Sequence, residues 1–450
     1  MQFELTEEFI EQIEQYIANN DGDALKGLLH DFHFADVAEL LQELNHEEAT
    51  FLVKLLDSEI TSEALMELDD DFRERILDNL SPSEIADELD EMDTDDAADI
   101  IAELDDDIQK QVIDHIEDED HAADIVDLLR YDEDTAGGLM AKELVRVKET
   151  WTVAGCVREM RRQAENVTRV HSIYVTDKHG KLKGRLSLKD LLTAPEKAHI
   201  IDVYIPKVDY VNVHTEAEDV ARIMQKYDLE AIPVVDDDGI LVGRITIDDI
   251  VDFIKDEAEK DYQMAAGISE DVEADDSIWQ LTRARLPWLI LALIGGFVSV
   301  SVLGTFSGAM TDHATLFFFV PLIAAMAGNV GVQSSAIVLQ GLANNSLKGS
   351  LWQRLIKEIL LSLLNGFILS VILVIGGMLL LGMDFLFGLT IGISLISVII
   401  TAALIGTFMP IILDARGIDP AMATGPFITT SNDICGILIY FTIAKLILGF

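Results

Sequence analysis

Five stretches of the chain carry almost no formal charge: residues 286–311, 313–347, 359–383, 385–413 and 420–444, the last interrupted by Asp433 alone. Each exceeds the roughly 20 apolar residues that an α-helix needs to cross about 30 Å of hydrocarbon. The pattern predicts transmembrane helices near 286–309, 315–343, 359–383, 386–413 and 423–449. Earlier in the chain the apolar positions change period. Leu40, Leu41 and Leu44, then Phe51, Leu52, Leu55 and Leu56, then Ile100, Ile101 and Leu104, then Ile108, Val112, Ile113 and Ile116 recur at three- and four-residue spacing. That spacing predicts a succession of short amphipathic helices, packed as a small superhelix over residues 1–135. Ser81-Pro82-Ser83 supplies N-cap and first-turn chemistry between two of them, and the phrases Ala35-Asp36, Ala86-Asp87 and Ala98-Asp99 repeat within it.

Residues 137–255 alternate differently and contain an internal repeat. Gly184-Arg185-Leu186-Ser187-Leu188-Lys189-Asp190 aligns with Gly243-Arg244-Ile245-Thr246-Ile247-Asp248-Asp249, and Ser172-Ile-Tyr-Val-Thr-Asp with Ala231-Ile-Pro-Val-Val-Asp. Each unit reads helix, strand, turn, strand, helix, with β-branched strand runs. A tandem Gly-x-aliphatic-Ser/Thr-x-x-Asp phrase at this period resembles a pair of CBS domains. That resemblance implies a nucleotide site whose ribose would be held by Ser187 and Asp190 in the first unit and Thr246 and Asp249 in the second.

Charge divides the chain in two. Eighty Asp and Glu stand against 32 Lys and Arg, a formal net charge of −48. Residues 284–450 hold six acids and six bases, so the whole excess belongs to residues 1–283. Such a surface excludes nucleic acid as a partner, because nucleic-acid binders present Lys and Arg to phosphate. The acidic start, MQFELTEEF, has neither the basic nor the apolar region of a cleaved leader. The two cysteines, Cys156 and Cys435, fall in different regions, which argues against a disulfide framework or a thiolate metal site. No Ser-His-Asp order, phosphate loop or His/Cys cluster suggests an enzyme.

Basic residues assign sidedness to the spans. Arg283 and Arg285 precede the first, Lys348, Arg354 and Lys357 separate the second and third, and Arg416 separates the fourth and fifth. The intervening loops at 311–315 and 382–385 carry no base. The positive-inside rule then expects a multi-pass protein of the cell membrane with its N-terminus in the cytoplasm and Phe450 outside; Lys445 dissents but can snorkel. Pro321 and Pro410 are expected to kink their spans. Gly304-x-x-x-Gly308 and Gly388-x-x-x-Gly392 allow close helix approach, either inside one bundle or at a dimer seam.

Asp433 is the most informative residue. Ten residues into the fifth span, it lies roughly 15 Å deep, where an ionised carboxylate costs about 2.5–3.5 kcal/mol or more unless it faces a polar cavity or a partner. Thr429, Thr430, Ser431 and Asn432 precede it, and Gly328-Asn329-Val330-Gly331-Val332-Gln333-Ser334-Ser335 lies in the second span. Oxygen donors without His or Cys favour a hard cation, and Mg²⁺ keeps several waters while using one or two carboxylates. Two Asp433 side chains across a homodimer axis would meet that demand. The acids of 1–283 suggest weak multi-carboxylate sites whose occupancy compacts the aqueous part and acts on the pore through a polar connector at 252–276.

In this order the residues resemble the MgtE family of magnesium channels over essentially the whole length. Besides the CBS pair, the resemblance rests on Asp132-Glu-Asp-Thr-Ala-Gly-Gly-Leu-Met140, on the Gly328–Ser335 run, and on Asp419-Pro-Ala with Gly425-Pro and Asn432-Asp433. Val332 departs from the polar residue expected there. The fold class implied is multidomain: an all-α superhelical N domain (1–135), an α+β tandem CBS pair (136–255), a connecting plug helix (256–282) and a transmembrane pore domain of five helices (283–450). The resemblance also implies a lipid-embedded homodimer importing Mg²⁺, with Mg²⁺ both transported and regulatory and with ATP at the CBS pair. Pore residues carried over are Asp433, Asn432, Thr429, Asn329 and Gly328. Sensor acids carried over are Asp95, Asp99, Glu218, Asp228, Asp249, Asp252, Glu257, Asp261 and Asp419, so two roles compete for Asp249. The alternative function is a proton- or sodium-coupled transporter of Mg²⁺ or Co²⁺, with Asp433 as a proton relay.

Overall fold

The computed structural model describes residues 5–163, 170–269, 272, 276–309, 313–343, 347, 349–423 and 425–450. Thr311, Asp312, Lys348 and most of 270–275, which the sidedness and connector arguments use, lie outside the described residues. The chain divides into two compact units, Met1–Lys255 and Asp256–Phe450.

The first unit opens with helices α1 (Glu7–Ala18) to α10 (Glu119–Leu128). Beyond α1, which packs on α2 (Gly22–Leu29) and α4 (His46–Leu55), most pack on the next but one: α3 (Phe34–Gln42) on α5 (Ser58–Met66), α5 on α7 (Pro82–Leu89), α7 on α9 (Asp106–Ile113), α4 on α6 (Asp70–Leu77), and α8 (Thr94–Glu103) on α10. The expected superhelix follows, because helices this short bury one stripe each and are stable only when stacked. Leu40, Leu41, Leu52, Ile100, Ile101 and Val112 are fully or almost fully buried. Ser81 and Glu84 form a reciprocal capping box at the start of α7. Two buried polar groups tie distant turns together. Arg73 donates to Leu68 O (3.2 Å), Asp70 (2.7 Å) and Glu103 (3.1 Å), and Glu88 accepts from Thr61 (2.6 Å) and Ser58 (3.3 Å).

The repeat folds twice in the same way. β1 (Val145–Lys148) pairs parallel with β2 (Ile173–Thr176), which pairs antiparallel with β3 (Leu182–Leu186), and β4 (Val211–Asn212), β5 (Ala231–Val235) and β6 (Leu241–Thr246) do the same. Between the parallel strands run α11 (Val153–Gln163) and α13 (Ala217–Tyr227); α12 (Leu188–Thr193) and α14 (Ile247–Ala266) follow β3 and β6. β1 and β4 are additions to the expected pattern; β1, Val-Arg-Val-Lys, does alternate between buried and exposed positions, and β4 is two residues long. The second sheet shares its core with the helical segment, through Val211, Val234 and Ile245, whereas the first encloses its own around Val147, Ile173 and Leu186. Backbone bonds from Ala136 to Thr215 (2.7 Å) and from Ala141 to Arg244 (2.8 Å) close the seam between helices and second sheet. α14 is longer than a repeat needs, so the second repeat's last helix and the first part of the connector are one element.

In the second unit, α15 (Ile278–Thr305), α16 (Val320–Ala343), α17 (Leu351–Leu381), α18 (Phe385–Asp414) and α19 (Pro426–Leu448) are long and apolar enough to cross a membrane. α18 is central, packing on α16, α17 and α19, and α15 packs on α19. α15 and α17 start eight residues before the charge-free stretches because their charged first turns stay helical. Pro321 does not kink a span. A 3-10 turn at Ala314–Phe319 precedes α16, so Pro321 sits in the helix's first turn, where its missing N–H has no intrahelical partner to lose. Pro410 is inside α18 as expected, and Pro287 is inside α15. Gly388 and Gly392 pack against Val374 and Ser370 of α17, bundle packing within one chain, while Gly304 has open space beside it. Gly331 is obligatory for a different reason: a Cβ there would collide with Asn432 and Ile428 of α19, and its carbonyl is covered by Gly406 of α18.

Two outcomes are expected. Burial is the main cause that raises Glu88 from 4.5 to about 7, so the fold prefers its neutral form. The stability this supplies is complete below about 4.5 and is lost as pH rises through about 7. Melting temperatures of the chain and of Glu88→Gln should therefore diverge between those values, the variant losing less; parallel profiles would remove the assignment. Gly331→Val should destabilise the detergent-solubilised bundle by about 1–3 kcal/mol through overpacking, while Gly376→Ala, beside open space, leaves its melting unchanged.

Candidate functional site

In the first unit the acids converge at the start of α8. Asp93, Asp95 and Glu143 each place a carboxylate oxygen within 4.8 Å of the others. The turn carrying Glu143 is docked by Thr94, whose hydroxyl donates to Glu143 (2.9 Å) and accepts from Lys142 N (2.9 Å). Asp95 is buried, and its Oδ1 has no hydrogen-bond partner. Burial first, then Asp96, Asp249, Asp93 and Glu143, hold its carboxyl well above the usual range. Asp96 is raised by burial and by Asp249 and Asp93, and Glu63 by burial and then Asp93. Asp249, at the start of α14, accepts from Thr246 N (2.9 Å) and Oγ1 (2.6 Å) and is itself raised by burial. A buried orphan oxygen among carboxylates that repel one another fits a hard divalent cation, which takes oxygen ligands and lowers the charge. Arg244 from β6 lies 3.4 Å from Asp93, and the His121 ring lies 3.9 Å from Glu143.

The remaining expected sensor acids are dispersed. Asp99, one turn along α8, stays exposed; burial of its inner side, then Glu133 and Glu103, raise it toward about 7. Asp252 on α14 is raised by burial, with Lys255 opposing. Glu218 lies 3.6 Å from Arg222, and Asp228 is the exposed left-handed C-cap of α13 (φ 50°). In the second unit, Glu257 lies 3.7 Å from Lys260, Asp261 is on the next turn of α14, and Asp419 caps a 3-10 turn through Ala421 N (2.7 Å). Asp93 and Asp96 were missed, although the run Asp93-Thr-Asp-Asp96 offered them; no periodicity could have offered Glu143 or Glu63.

The two hydroxyl–acid pairs of the repeat differ in surroundings. Ser187 donates to Asp190 (2.6 Å) on the open surface. Thr246 is buried, and its partner Asp249 is turned toward Asp95 and Asp96.

The second unit holds a cavity of about 460 Å³. Asp433, two turns into α19, lines it with Thr429 and Thr430, as do Gly295, Ser299 and Val332 and, at the end of α14, Ala265 and Ala266. Thr429 hydrogen-bonds its own helix at Gly425 O (3.1 Å). Asn432 faces elsewhere, almost wholly buried, donating to Ala327 O (3.3 Å). Gly328 is buried beside Thr429 and Asn329 is exposed, so neither shares the cavity wall.

Comparison with known proteins follows the same division. Residues 320–443 match the model of the MgtE divalent cation transporter family, 32–134 that of the MgtE intracellular N domain, and 136–197 and 200–256 that of the CBS domain. The magnesium transporter MgtE of Thermus thermophilus is 34% identical over 461 residues, 99% of each chain, and that of Bacillus subtilis 36% identical over 70% of each. The chain belongs to the MgtE family. Among solved structures, the soluble part of a magnesium transporter matches at 30% identity and a TM-score of 0.51, covering 56% of this chain and 99% of its own. The cytosolic domain of the Mg²⁺ channel MgtE in complex with ATP matches at 35% and 0.51, covering 54% and 99%. This MgtE-family chain is thus a multi-pass membrane protein with a helical N domain, a CBS pair and five candidate spans.

At a pH high enough to ionise the Asp95 carboxyl despite its upward shift, Asp95→Asn removes one charge from a cluster that repels itself. In metal-free buffer it should raise the melting temperature, by about 2–4 °C for each kcal/mol relieved. A lowered value would show that the cluster's charge is already compensated.

Proposed function

We propose that the protein is a Mg²⁺-selective channel that imports Mg²⁺ across the cytoplasmic membrane and closes when cytosolic Mg²⁺ binds its N and CBS domains. One observation carries this reading: the intramembrane carboxylate of Asp433 opens into a cavity whose wall includes the end of α14. A single acid among hydroxyls and glycines suits a dication that keeps most of its water. The end of α14 is then the plug, and whatever moves α14 changes the room beside Asp433.

Closure takes its energy from the acids around Asp95. Mg²⁺ bound by Asp93, Asp95 and Glu143, with Asp96 and Asp249 beside them, relieves a repulsion the apo form must tolerate, so it favours the arrangement in which these residues meet. Asp249 begins α14, which links that event to the plug. Asp99, Asp228, Asp252, Glu257, Asp261 and Asp419 are further ligands on this reading; Glu218 joins only if its Arg222 contact yields. Asn432 and Gly328 shape the pore by packing, and Asn329 faces outward from the chain, toward a second copy in the proposed homodimer. ATP is placed at Ser187 and Asp190, the open pair, in keeping with the ATP-bound relative. The N-terminus is cytoplasmic and Phe450 external, by the exposed Arg283, Arg285, Lys357 and Arg416 at one end of the spans.

The test is patch recording with Mg²⁺ varied on the cytoplasmic face. Current should follow voltage and the Mg²⁺ gradient, fall as cytoplasmic Mg²⁺ rises, and drop at least about tenfold in Asp433→Asn, the effect of losing roughly 1.4 kcal/mol of attraction. Flux that requires a proton or sodium gradient would instead establish the coupled transporter.

A further inference from the structure

A second carboxylate belongs to a candidate span, at the edge of its charge-free stretch, and it bonds to the helix that carries Val332 of the cavity lining. Glu358 is two turns into α17, with no formal charge between it and Leu381. It directly follows the exposed Lys357, so it stands at the edge of the charge-free stretch rather than deep within it. Its Oε1 accepts a hydrogen bond of 2.6 Å from Ser334 of α16, a residue only 5% exposed. Among the described residues it forms no ion pair. Four hydroxyls of α18 bond back to their own helix, Thr390 to Leu386 O, Ser394 to Thr390 O, Ser397 to Ile393 O and Thr401 to Ser397 O, at 2.8–3.0 Å, while Tyr440 of α19 reaches Leu316 O. Ser334 donates to a different helix.

The helical geometry gives this bond a consequence. At about 100° per residue, Ala327, Gly331 and Ser334 share one face of α16, and Val332 stands on the other. Ala327 O accepts from Asn432 of α19, Gly331 packs on the same Asn432, and Ser334, a turn further on, meets Glu358. α16 is therefore held by polar contacts to two different helices along one face. With that face fixed, Val332 is the α16 residue on the cavity wall. A turn of α16 by one residue would bring a different side chain opposite Asp433.

We infer that Glu358 is a positioning residue for cation passage: through Ser334 it sets the rotation of α16, and so decides which side chain shares the cavity with Asp433. This rests on the reading of that cavity as the cation path.

The experiment uses the full chain in liposomes and measures Mg²⁺ flux, Co²⁺ flux and their ratio, which does not depend on how much protein folds. Glu358→Leu and Ser334→Ala should shift the ratio in the same direction by about threefold or more, as small displacements of positioning groups do. The double variant should shift it no further than Glu358→Leu alone, because the two residues act as one contact. Glu358→Gln keeps an oxygen for Ser334 and should restore the ratio. An unmoved ratio in Ser334→Ala overturns the inference, even if Glu358→Leu fails to fold. A shift in Glu358→Gln as large as in Glu358→Leu overturns it too, since charge rather than the bond would then matter. Asp433→Asn serves as the separate control: undiminished flux there removes the cavity reading and this inference with it, whereas lost flux with an unmoved ratio in Ser334→Ala removes the inference alone.

Discussion

Carboxylates taken out of water without enough positive charge nearby constrain every part of this molecule that has a candidate role. The cost is paid in two chemically different ways. Around Asp95 several acids crowd one another, and their carboxyls are held above the ordinary range by burial and mutual repulsion. At Asp433 the acid stands beside threonines and glycines with space in front of it. Other partly buried acids have polar partners: Glu103 meets Arg73, and Glu88 accepts two hydroxyl hydrogen bonds, although burial still raises both carboxyls. Asp95 differs in keeping a buried oxygen with no hydrogen-bond partner.

The architecture was legible from the sequence because its signals are long-ranged along the chain. Charge-free stretches of twenty residues or more, a repeat offset by about sixty, and a three-to-four apolar period each average over many positions. The site was legible only where one residue is anomalous by itself. Asp433 is conspicuous in an apolar run, and it does open into the cavity. Asn432, its neighbour, carries the same sequence signal but points a helical step away, into α16, because Gly331 leaves room for an amide there. Glu143 and Glu63 had no such signal. They reach the cluster through folding of distant segments, and among eighty acids nothing local distinguishes them. Glu358 was obscured for a third reason: it ends the charged run at 354–358, and only the actual start of α17 places it within the helix.

Small residues do in the spans what charged pairs do in the soluble unit. Without water to exclude, helices in lipid gain little from apolar contact alone and rely on close backbones and hydrogen bonds. Gly331 between Asn432 and Gly406 is such a place, where three helices come within backbone distance.

On the proposed reading, weak and numerous sensor sites are an advantage over one tight site. A single site filled to its own dissociation constant stabilises the closed form by only about 0.4 kcal/mol, from RT ln 2. Moving a two-state equilibrium from mostly open to mostly closed takes about 5.5 kcal/mol. One site could supply that only by binding ten-thousandfold more tightly than the prevailing concentration, and it would then never empty. Several sites that exist only in the compact form add their contributions, so the response is steep and centred where the ion is physiologically scarce or plentiful. Repulsion among Asp93, Asp95, Asp96, Asp249 and Glu143 provides the opposing force, reopening the arrangement once the cations leave.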